Sequence, residues 1–300
     1  MIKLLIPIYW THVFYIEQFH YRNTLISFSS IFYNIFMESV MTIGHTQKTS
    51  LVPALDRAFE ILDCVTASTH ALTAADIAKK LNLPRSSVYN ILQSLCQKGV
   101  LFKDAENRFY IGSYVMYWAG KFEEQQGVIK IFQEIINQYN NLLDYTITLS
   151  TLDSQTGEVV FLDCRTPQLP LCFNFRAGVR VPAVFSATGK AMLSTWLIDD
   201  IKMMYGDSLP PALTPFSVQN YDRLFEELNS VKQTRVSLDD GQLREGMFCI
   251  GTYIRDKSGS AIAGIAVSLL KHEYQTKRME VEETIIVIAK DIEKRLGFKS

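Results

Sequence analysis

The sequence is poor in cysteine, and the cysteines it has are not spaced to bind a metal. The chain of 300 residues contains only Cys64, Cys96, Cys164, Cys172 and Cys249, and none of them belongs to a C-x-x-C pair. This spacing argues against a disulfide framework and against a zinc site. We therefore expect reduced cysteines in the core of a cytoplasmic protein that holds no metal and no cofactor.

Long hydrophobic runs are also missing, although residues 1–40 are rich in aromatic side chains. Of two apolar stretches there, residues 4–16 include Pro7 and His12, and residues 25–37 are interrupted by serines. A membrane-spanning helix needs about 20 apolar residues, and neither stretch precedes a signal-peptide cleavage site. We expect no membrane role, and we interpret residues 1–46 as an extension, unstructured or added by a misassigned start. Met41 is the favoured true start, so residues 1–40 should be dispensable.

The sequence lacks a strong excess of charge of either sign. The formal net charge is -1. Residues 48–111 contain eight Lys and Arg against six Asp and Glu, and residues 112–300 contain 20 against 23. Such a small excess is weak support for nucleic-acid binding, so the argument depends on residue patterns.

The clearest pattern is a helix-turn-helix that begins after residue 50. Apolar residues at three- and four-residue spacing predict a first helix whose inner face is Leu51, Leu55, Ala58, Leu62 and Val65. Thr73 and Asp76 form a capping box that opens a short second helix. The turn Asn82-Leu83 follows, and Pro84 opens a third helix that ends at Gly99. The predicted inner face of that third helix is Val88, Ile91, Leu92 and Leu95.

The third helix has the composition of a DNA recognition helix. Its outward side chains are of the kinds that contact phosphates and base edges: Arg85, Ser86, Ser87, Tyr89, Asn90 and Gln93. Two predicted strands, residues 100–103 and 108–111, form a wing that carries Lys103 and Arg108. We count Thr73 with these residues as a candidate DNA contact. The alternative is a three-helix packing module, or an adaptor, that touches no DNA.

The second half of the chain mixes strands and helices without strict alternation, which predicts an α+β fold. The predicted strands cover residues 145–150, 158–162, 171–175, 248–254 and 261–269. The predicted helices cover residues 186–196, 221–232 and 274–296.

Segments in both halves of the chain carry a family resemblance. The first half contains LVPALDRAFEILDCV, LTAADIAKKLNLPRSSVYNILQSLCQKGVL and RFYIGSYV. The second half contains FRAGVRVPAVFSATGKAML, RVSLDDGQLREGMFCIGTYIRD and SGSAIAGIAVSL. In this order they resemble the IclR family of transcriptional regulators over about residues 50–300.

The resemblance implies a winged helix-turn-helix over residues 47–112, a linker helix over 113–126 and a GAF-like effector-binding domain over 127–300. It also implies a homodimer or homotetramer that binds an operator in double-stranded DNA. The effector would be a small organic acid, an aromatic acid or a sugar-derived metabolite. By resemblance, the effector contacts fall on Ser186, Ala187, Thr188, Asp239, Cys249 and Ser268.

Each effector candidate also has a purely structural interpretation. Ser186 can cap a helix, Asp239 can serve a turn, Cys249 can fill a core and Ser268 can be a satisfied strand hydroxyl. The sequence also departs from the family pattern at four positions: Asn90 replaces a usual basic residue, Val184 a His, Gln242 an acidic residue and Arg235 a Gly. We expect these last three changes to lie near the effector pocket.

A competing class is an enzyme that would use Asp239, Asp240, Glu245 and His272 for acid–base chemistry. No spacing among them specifies a reaction, and the sequence lacks G-x-S-x-G, H-E-x-x-H and phosphate-loop motifs. We therefore expect a regulator and not an enzyme.

Overall fold

The computed structural model describes residues 51–142, 144–167, 173 and 175–298. The extension assigned to residues 1–46 lies outside the described residues, as does most of the strand predicted over 171–175. The chain divides into two compact units, at residues 118 and 119. Each unit has its own sheet.

The first unit is a winged helix-turn-helix. Its elements are α1 (Pro53–Ala67), β1 (Leu72–Thr73), α2 (Ala74–Lys80), α3 (Arg85–Gln97), β2 (Leu101–Lys103), β3 (Arg108–Ile111) and the start of α4 (Tyr114–Gln125). The strands form an antiparallel sheet in the order β1-β3-β2. Helix α3 ends where predicted because Gly99 adopts a φ of 71°, a left-handed conformation that glycine tolerates.

The core of this unit corrects the predicted face of α1. The buried residue of that helix is Ile61, while Leu51 and Leu55 are exposed. Ile61 packs against residues of α2, α3 and the sheet: Ile77, Ala78, Val88, Leu92, Leu101 and Phe109. The prediction was wrong for Leu51 and Leu55, which remain exposed. Leu62 and Val65 of the same predicted face are partly buried and pack against this core.

The second unit is built on a six-stranded antiparallel sheet with the order β6-β5-β4-β9-β8-β7. Its strands are β4 (Thr146–Asp153), β5 (Glu158–Arg165), β6 (Arg180–Pro182), β7 (Ser237–Asp240), β8 (Met247–Arg255) and β9 (Ala261–Leu270). Its helices are α5 (Gly127–Ile136), α6 (Ala187–Leu193), α7 (Ile198–Tyr205), α8 (Tyr221–Thr234) and α9 (Lys271–Arg295), and a 3-10 turn covers Asn140–Leu142. Helices α5 and α7 and strands β6 and β7 are not among the elements predicted from the sequence.

Different helices contact the two sides of this sheet. Helices α5 and α9 share a large apolar core with strands β4, β8 and β9. Helix α6 contacts β7, β8 and β9 at close range. An added Cβ on Gly251 would lie 2.9 Å from the carbonyl carbon of Ala187, and one on Gly264 would lie 2.8 Å from Cβ of Thr188. The two glycines therefore allow α6 to lie directly on the strands.

No helix in the part of the chain that the structure describes has the length and apolar character needed to cross a membrane.

Candidate DNA interface and ligand cavity

Helix α3 presents the polar face that the sequence predicts for a recognition helix. Val88 and Leu92 are buried and attach the helix to the core. The candidate contact residues lie on its other sides: Arg85, Ser86, Tyr89 and Asn90 are exposed, and Ser87 and Gln93 are partly buried. Pro84 precedes the helix and supplies no side-chain cap. The exposed face therefore offers cationic, hydroxyl, amide and aromatic groups to a groove.

Thr73, a candidate DNA contact, caps the start of α2 in the structure. Its hydroxyl donates to Oδ2 of Asp76 at 2.6 Å and accepts from the Asp76 amide at 3.3 Å. The Thr73 amide also donates to Oδ2 of Asp76 at 3.0 Å, which completes the predicted capping box. These hydrogen bonds from Thr73 lower the pKa of Asp76. The hydroxyl proton of Thr73 is thus committed to starting α2.

The wing carries both predicted cations, in different surroundings. Lys103 is exposed at the end of β2. Arg108 forms ion pairs with Asp104 at 3.0 Å and with Glu106 at 3.1 Å. The spacing of Asp104 and Arg108 across a short hairpin could have revealed the first pair, but the sequence analysis did not use it.

All six candidate effector residues line one cavity in the second unit. Ser186, Ala187, Thr188, Asp239, Cys249 and Ser268 meet there. The remaining lining residues, which sequence reasoning missed, are Thr148, Phe161, Phe175, Leu243, Met247 and Ala266. The cavity has a volume of about 20 Å³, which is room for about one water molecule.

Strand register places three of the candidates in a row across the sheet. Asp239 of β7 lies opposite Cys249 of β8, and Cys249 lies opposite Ser268 of β9. The thiol of Cys249 and the hydroxyl of Ser268 are hydrogen-bonded at 3.3 Å, and burial raises the pKa of that thiol. Side chains at facing positions of adjacent strands lie on the same side of a sheet. The row therefore brings a carboxyl, a thiol and a hydroxyl together.

Asp239 is the buried titratable carboxyl of the cavity, and only one of its oxygens has partners. Its Oδ1 accepts from the amides of Gln242 at 2.7 Å and Leu243 at 3.3 Å. Its Oδ2 is buried and has no hydrogen-bond partner among the described residues. Burial raises the pKa of Asp239 to about 7, against the lowering effects of Lys190 and of these amides. A buried, unpartnered oxygen is free to bind a ligand group that enters the cavity.

Helix α6 adds a chain of hydroxyls on the other side of the cavity. Ser186 caps the helix by accepting from the amide of Gly189 at 3.3 Å. The Ser186 and Thr188 hydroxyls lie 3.0 Å apart, and Ser150 donates to Thr188 at 2.7 Å. Ser186 is therefore a helix cap and also a lining residue of the cavity, and its role as an effector contact stays a prediction.

Of the three departures expected near the pocket, Gln242 touches a lining group, because its backbone amide donates to Oδ1 of Asp239. Val184 is buried two residues before the lining residue Ser186 but does not itself line the cavity. Arg235 does not line it either; it ends α8 with a φ of 62° and pairs with Glu293 of α9. The left-handed backbone at Arg235 explains why glycine suits that position.

The four residues of the enzyme alternative are not gathered in the cavity. Asp239 lines it, whereas Asp240, Glu245 and His272 are exposed and do not. The structure therefore supplies no shared acid–base geometry in this cavity.

A winged helix with a polar recognition face, joined in one chain to a sheet domain with a small cavity lined by polar and apolar side chains, defines a ligand-responsive transcription regulator. The model of the IclR helix-turn-helix domain matches residues 54–105, and that of the bacterial transcriptional regulator IclR C-terminal domain matches residues 121–294. The chain belongs to the IclR family. It is therefore a DNA-binding transcription regulator with an effector domain.

Relatives and solved structures agree with this assignment. The chain is 28% identical to the HTH-type transcriptional regulator BhcR of Paracoccus denitrificans, over 72% of this chain and 77% of that protein. The crystal structure of the Agrobacterium tumefaciens repressor BlcR is 38% identical, with a TM-score of 0.55 over 83% of this chain and 99% of that one. An IclR homologue from Microbacterium hydrocarbonoxydans, complexed with 4-hydroxybenzoate, shares the fold at 19% identity and a TM-score of 0.71, over 81% of this chain and 99% of that one.

Proposed function

We propose that the second-unit cavity binds a small organic acid, aromatic acid or sugar-derived metabolite, and that this ligand controls the affinity of the first unit for its operator. The observation that carries the proposal is the meeting of six candidate residues around one cavity in which Oδ2 of Asp239 has no partner. Burying a polar atom without a hydrogen bond is costly. A ligand that supplies the missing bond recovers that cost.

The walls of the cavity suit a ligand with a polar end and an apolar body. Ser186, Thr188 and Ser268 offer hydroxyls, while Phe161 and Phe175 form an aromatic wall with ring centroids 5.0 Å apart. The volume of about 20 Å³ is far smaller than an ordinary ligand pocket of 300–1,000 Å³. Binding must therefore separate these side chains, and this movement can be passed on to the rest of the unit.

The DNA side of the proposal places α3 in the major groove and the wing beside it. Ser86, Tyr89, Asn90 and Gln93 would face base edges. Thr73, Arg85, Ser87, Lys103 and Arg108 would lie near the backbone. Phosphate contacts set the register, while contacts to base edges determine the sequence preference.

Exposed apolar residues support self-association as a homodimer or homotetramer. Helix α4 has no buried residue in this single chain, although it is rich in apolar side chains: Tyr114, Met116, Tyr117, Trp118 and Phe122 are exposed. Leu51, Val52, Leu55 and Phe59 form a second exposed group at the start of the described chain. Apolar patches of this kind mark protein interfaces.

The test starts from duplexes that the full-length protein selects from fragmented DNA of its source genome. Small organic acids, aromatic acids and sugar acids are then screened for thermal stabilisation of the protein and for a change in duplex affinity. Asp239→Ala should weaken binding of an active compound at least tenfold and leave ligand-free DNA affinity within twofold.

The matched control for that variant is Glu283→Ala, an exposed carboxyl on α9 that does not line the cavity, which should change neither property. Equal compound affinity in wild type and Asp239→Ala would remove the cavity as the effector site. Absence of any selected duplex would contradict the DNA half of the proposal.

A further inference from the structure

The arginines of the winged unit differ in whether a carboxylate neutralises them. Arg108 on the wing pairs with both Asp104 and Glu106, and Tyr110 donates a further hydrogen bond to Asp104 at 3.0 Å. A phosphate that approaches Arg108 must displace these carboxylates or remain close to two negative charges. Arg108 is therefore a weak attractor for DNA, despite its place on the wing.

Arg57 has the opposite surroundings. It belongs to α1, is partly buried, and donates from Nη1 to Oγ of Ser87 on α3 at 3.4 Å. Among the residues that the structure describes, no carboxylate oxygen lies within 4.0 Å of its guanidinium nitrogens. A guanidinium carries five N–H donors and keeps its charge at any physiological pH. A long hydrogen bond to a neutral hydroxyl leaves most of that capacity available.

The position of Arg57 links this unneutralised charge to the recognition helix. Ser87 is the third residue of α3, two positions after Arg85. Arg57 therefore lies against the N-terminal turn of α3, the end that enters the groove in helix-turn-helix complexes. Phosphates border the groove on both sides of an inserted helix, and a guanidinium can bind a phosphate through two parallel hydrogen bonds.

We propose that Arg57 binds a backbone phosphate of the DNA beside the recognition helix, and that it supplies the attraction that the neutralised Arg108 does not. The inference rests on the proposed insertion of α3 into the major groove. It adds a contact from α1, outside the recognition helix and outside the wing, at a residue that the sequence pattern did not single out.

The experiment measures binding of the full chain to a mixed-sequence 30-bp duplex by fluorescence anisotropy at several salt concentrations. Each phosphate contact contributes about 0.9 to the slope of log affinity against log salt. Arg57→Gln should reduce that slope by about one unit per protomer, while Arg57→Lys should retain it. Arg108→Gln should reduce the slope by less than half as much. Lys290→Gln, which removes an exposed charge in the second unit, is the matched control and should leave the slope unchanged.

Melting temperatures separate contact from folding, because they identify any variant that fails to fold. Arg57→Lys keeps the positive charge but removes the guanidinium that donates to Ser87. The inference is overturned if folded Arg57→Gln keeps the wild-type slope, if Arg108→Gln loses more, or if Arg57→Lys loses as much as Arg57→Gln. A wild-type chain without salt-dependent binding would instead contradict the proposed DNA-binding function.

Discussion

Lys190 of α6 and Glu227 of α8 form an ion pair at 2.7 Å in which the lysine is buried and the glutamate is partly exposed. The side-chain amide of Gln242 donates to both oxygens of Glu227, at 3.1 and 3.3 Å. The backbone amide of the same Gln242 holds Asp239. The cavity carboxyl and the buried lysine therefore belong to one connected polar network.

Glu227→Gln should destabilise the second unit because it leaves the ammonium of Lys190 buried without a counter-charge. We expect a loss of about 2–3 kcal/mol in the free energy of unfolding, below the usual range for a fully buried pair because Glu227 is partly exposed. Urea unfolding measures it. The double variant Lys190→Met/Glu227→Gln should recover part of the loss. If the double variant is less stable than Glu227→Gln, the lysine does not depend on this partner.

Gly251→Ala should disturb the contact between α6 and β8. The new Cβ would lie 2.9 Å from a backbone carbon of Ala187, so the helix must shift at a cost of about 1–3 kcal/mol. Gly120→Ala is the control, since its Cβ meets nothing within 4 Å in α4 and alanine favours a helix by about 0.5–1 kcal/mol. Melting temperatures of Gly251→Ala and Gly120→Ala, measured by calorimetry and compared with wild type, test this prediction. A Gly251→Ala protein as stable as wild type would show that α6 moves freely on the sheet.

Asp239 should make stability depend on pH. Burial raises its pKa to about 7 from the ordinary 3.8, so the folded state holds a proton that the unfolded chain releases. The contribution of Asp239 to the free energy of unfolding is fully present below pH 4 and is lost as pH rises through 7. The total loss is about 1.4 kcal/mol for each unit by which the folded and unfolded pKa values differ. Asp239→Asn should flatten the fall in unfolding free energy between pH 4 and pH 7. If the unfolding free energies of wild type and Asp239→Asn change with pH in parallel, the pH dependence comes from other groups.

Arg85→Ala should reveal whether the first residue of the recognition helix reads a base or holds a phosphate. We expect the phosphate role, in which affinity falls on every duplex and the salt slope decreases by about one unit. A base contact would instead cost about 1–3 kcal/mol on the operator and relax the preference at one base position. Titrations on selected and scrambled duplexes distinguish the two. Unchanged affinity on both would remove Arg85 from the interface.

Local sequence signals predicted the winged unit well because they act over a few residues. The capping box of Thr73 and Asp76 and the left-handed Gly99 depend on neighbouring backbone groups, and both occur as predicted. The same signals succeeded only in part for the inner face of α1, where Leu62 and Val65 pack against the core but Leu51 and Leu55 do not. Periodicity finds an apolar stripe, but it does not say whether that stripe faces the core of its own chain or remains exposed, as Leu51 and Leu55 do.

The candidate cavity was predictable as a set of residues, chiefly through the family resemblance, but not as a geometry. From spacing alone, Asp239, Cys249 and Ser268 could equally well have had purely structural roles, as a turn residue, a core residue and a strand hydroxyl. The aromatic wall of Phe161 and Phe175 was missed because nothing local distinguishes those rings from other core side chains.

The sequence by itself determined the order of the helix-turn-helix elements, the position of the wing and the mixed character of the second unit, since caps, turns and residue spacing act locally. The tertiary structure alone decided which side chains meet. The register of β7, β8 and β9 aligns Asp239, Cys249 and Ser268, and two glycines let α6 bring Ser186 and Thr188 close to them. It also decided that Arg108 is neutralised and that Arg57 lies against Ser87. Electrostatic attraction depends on distances between groups, and chain folding sets those distances for residues that are remote in sequence.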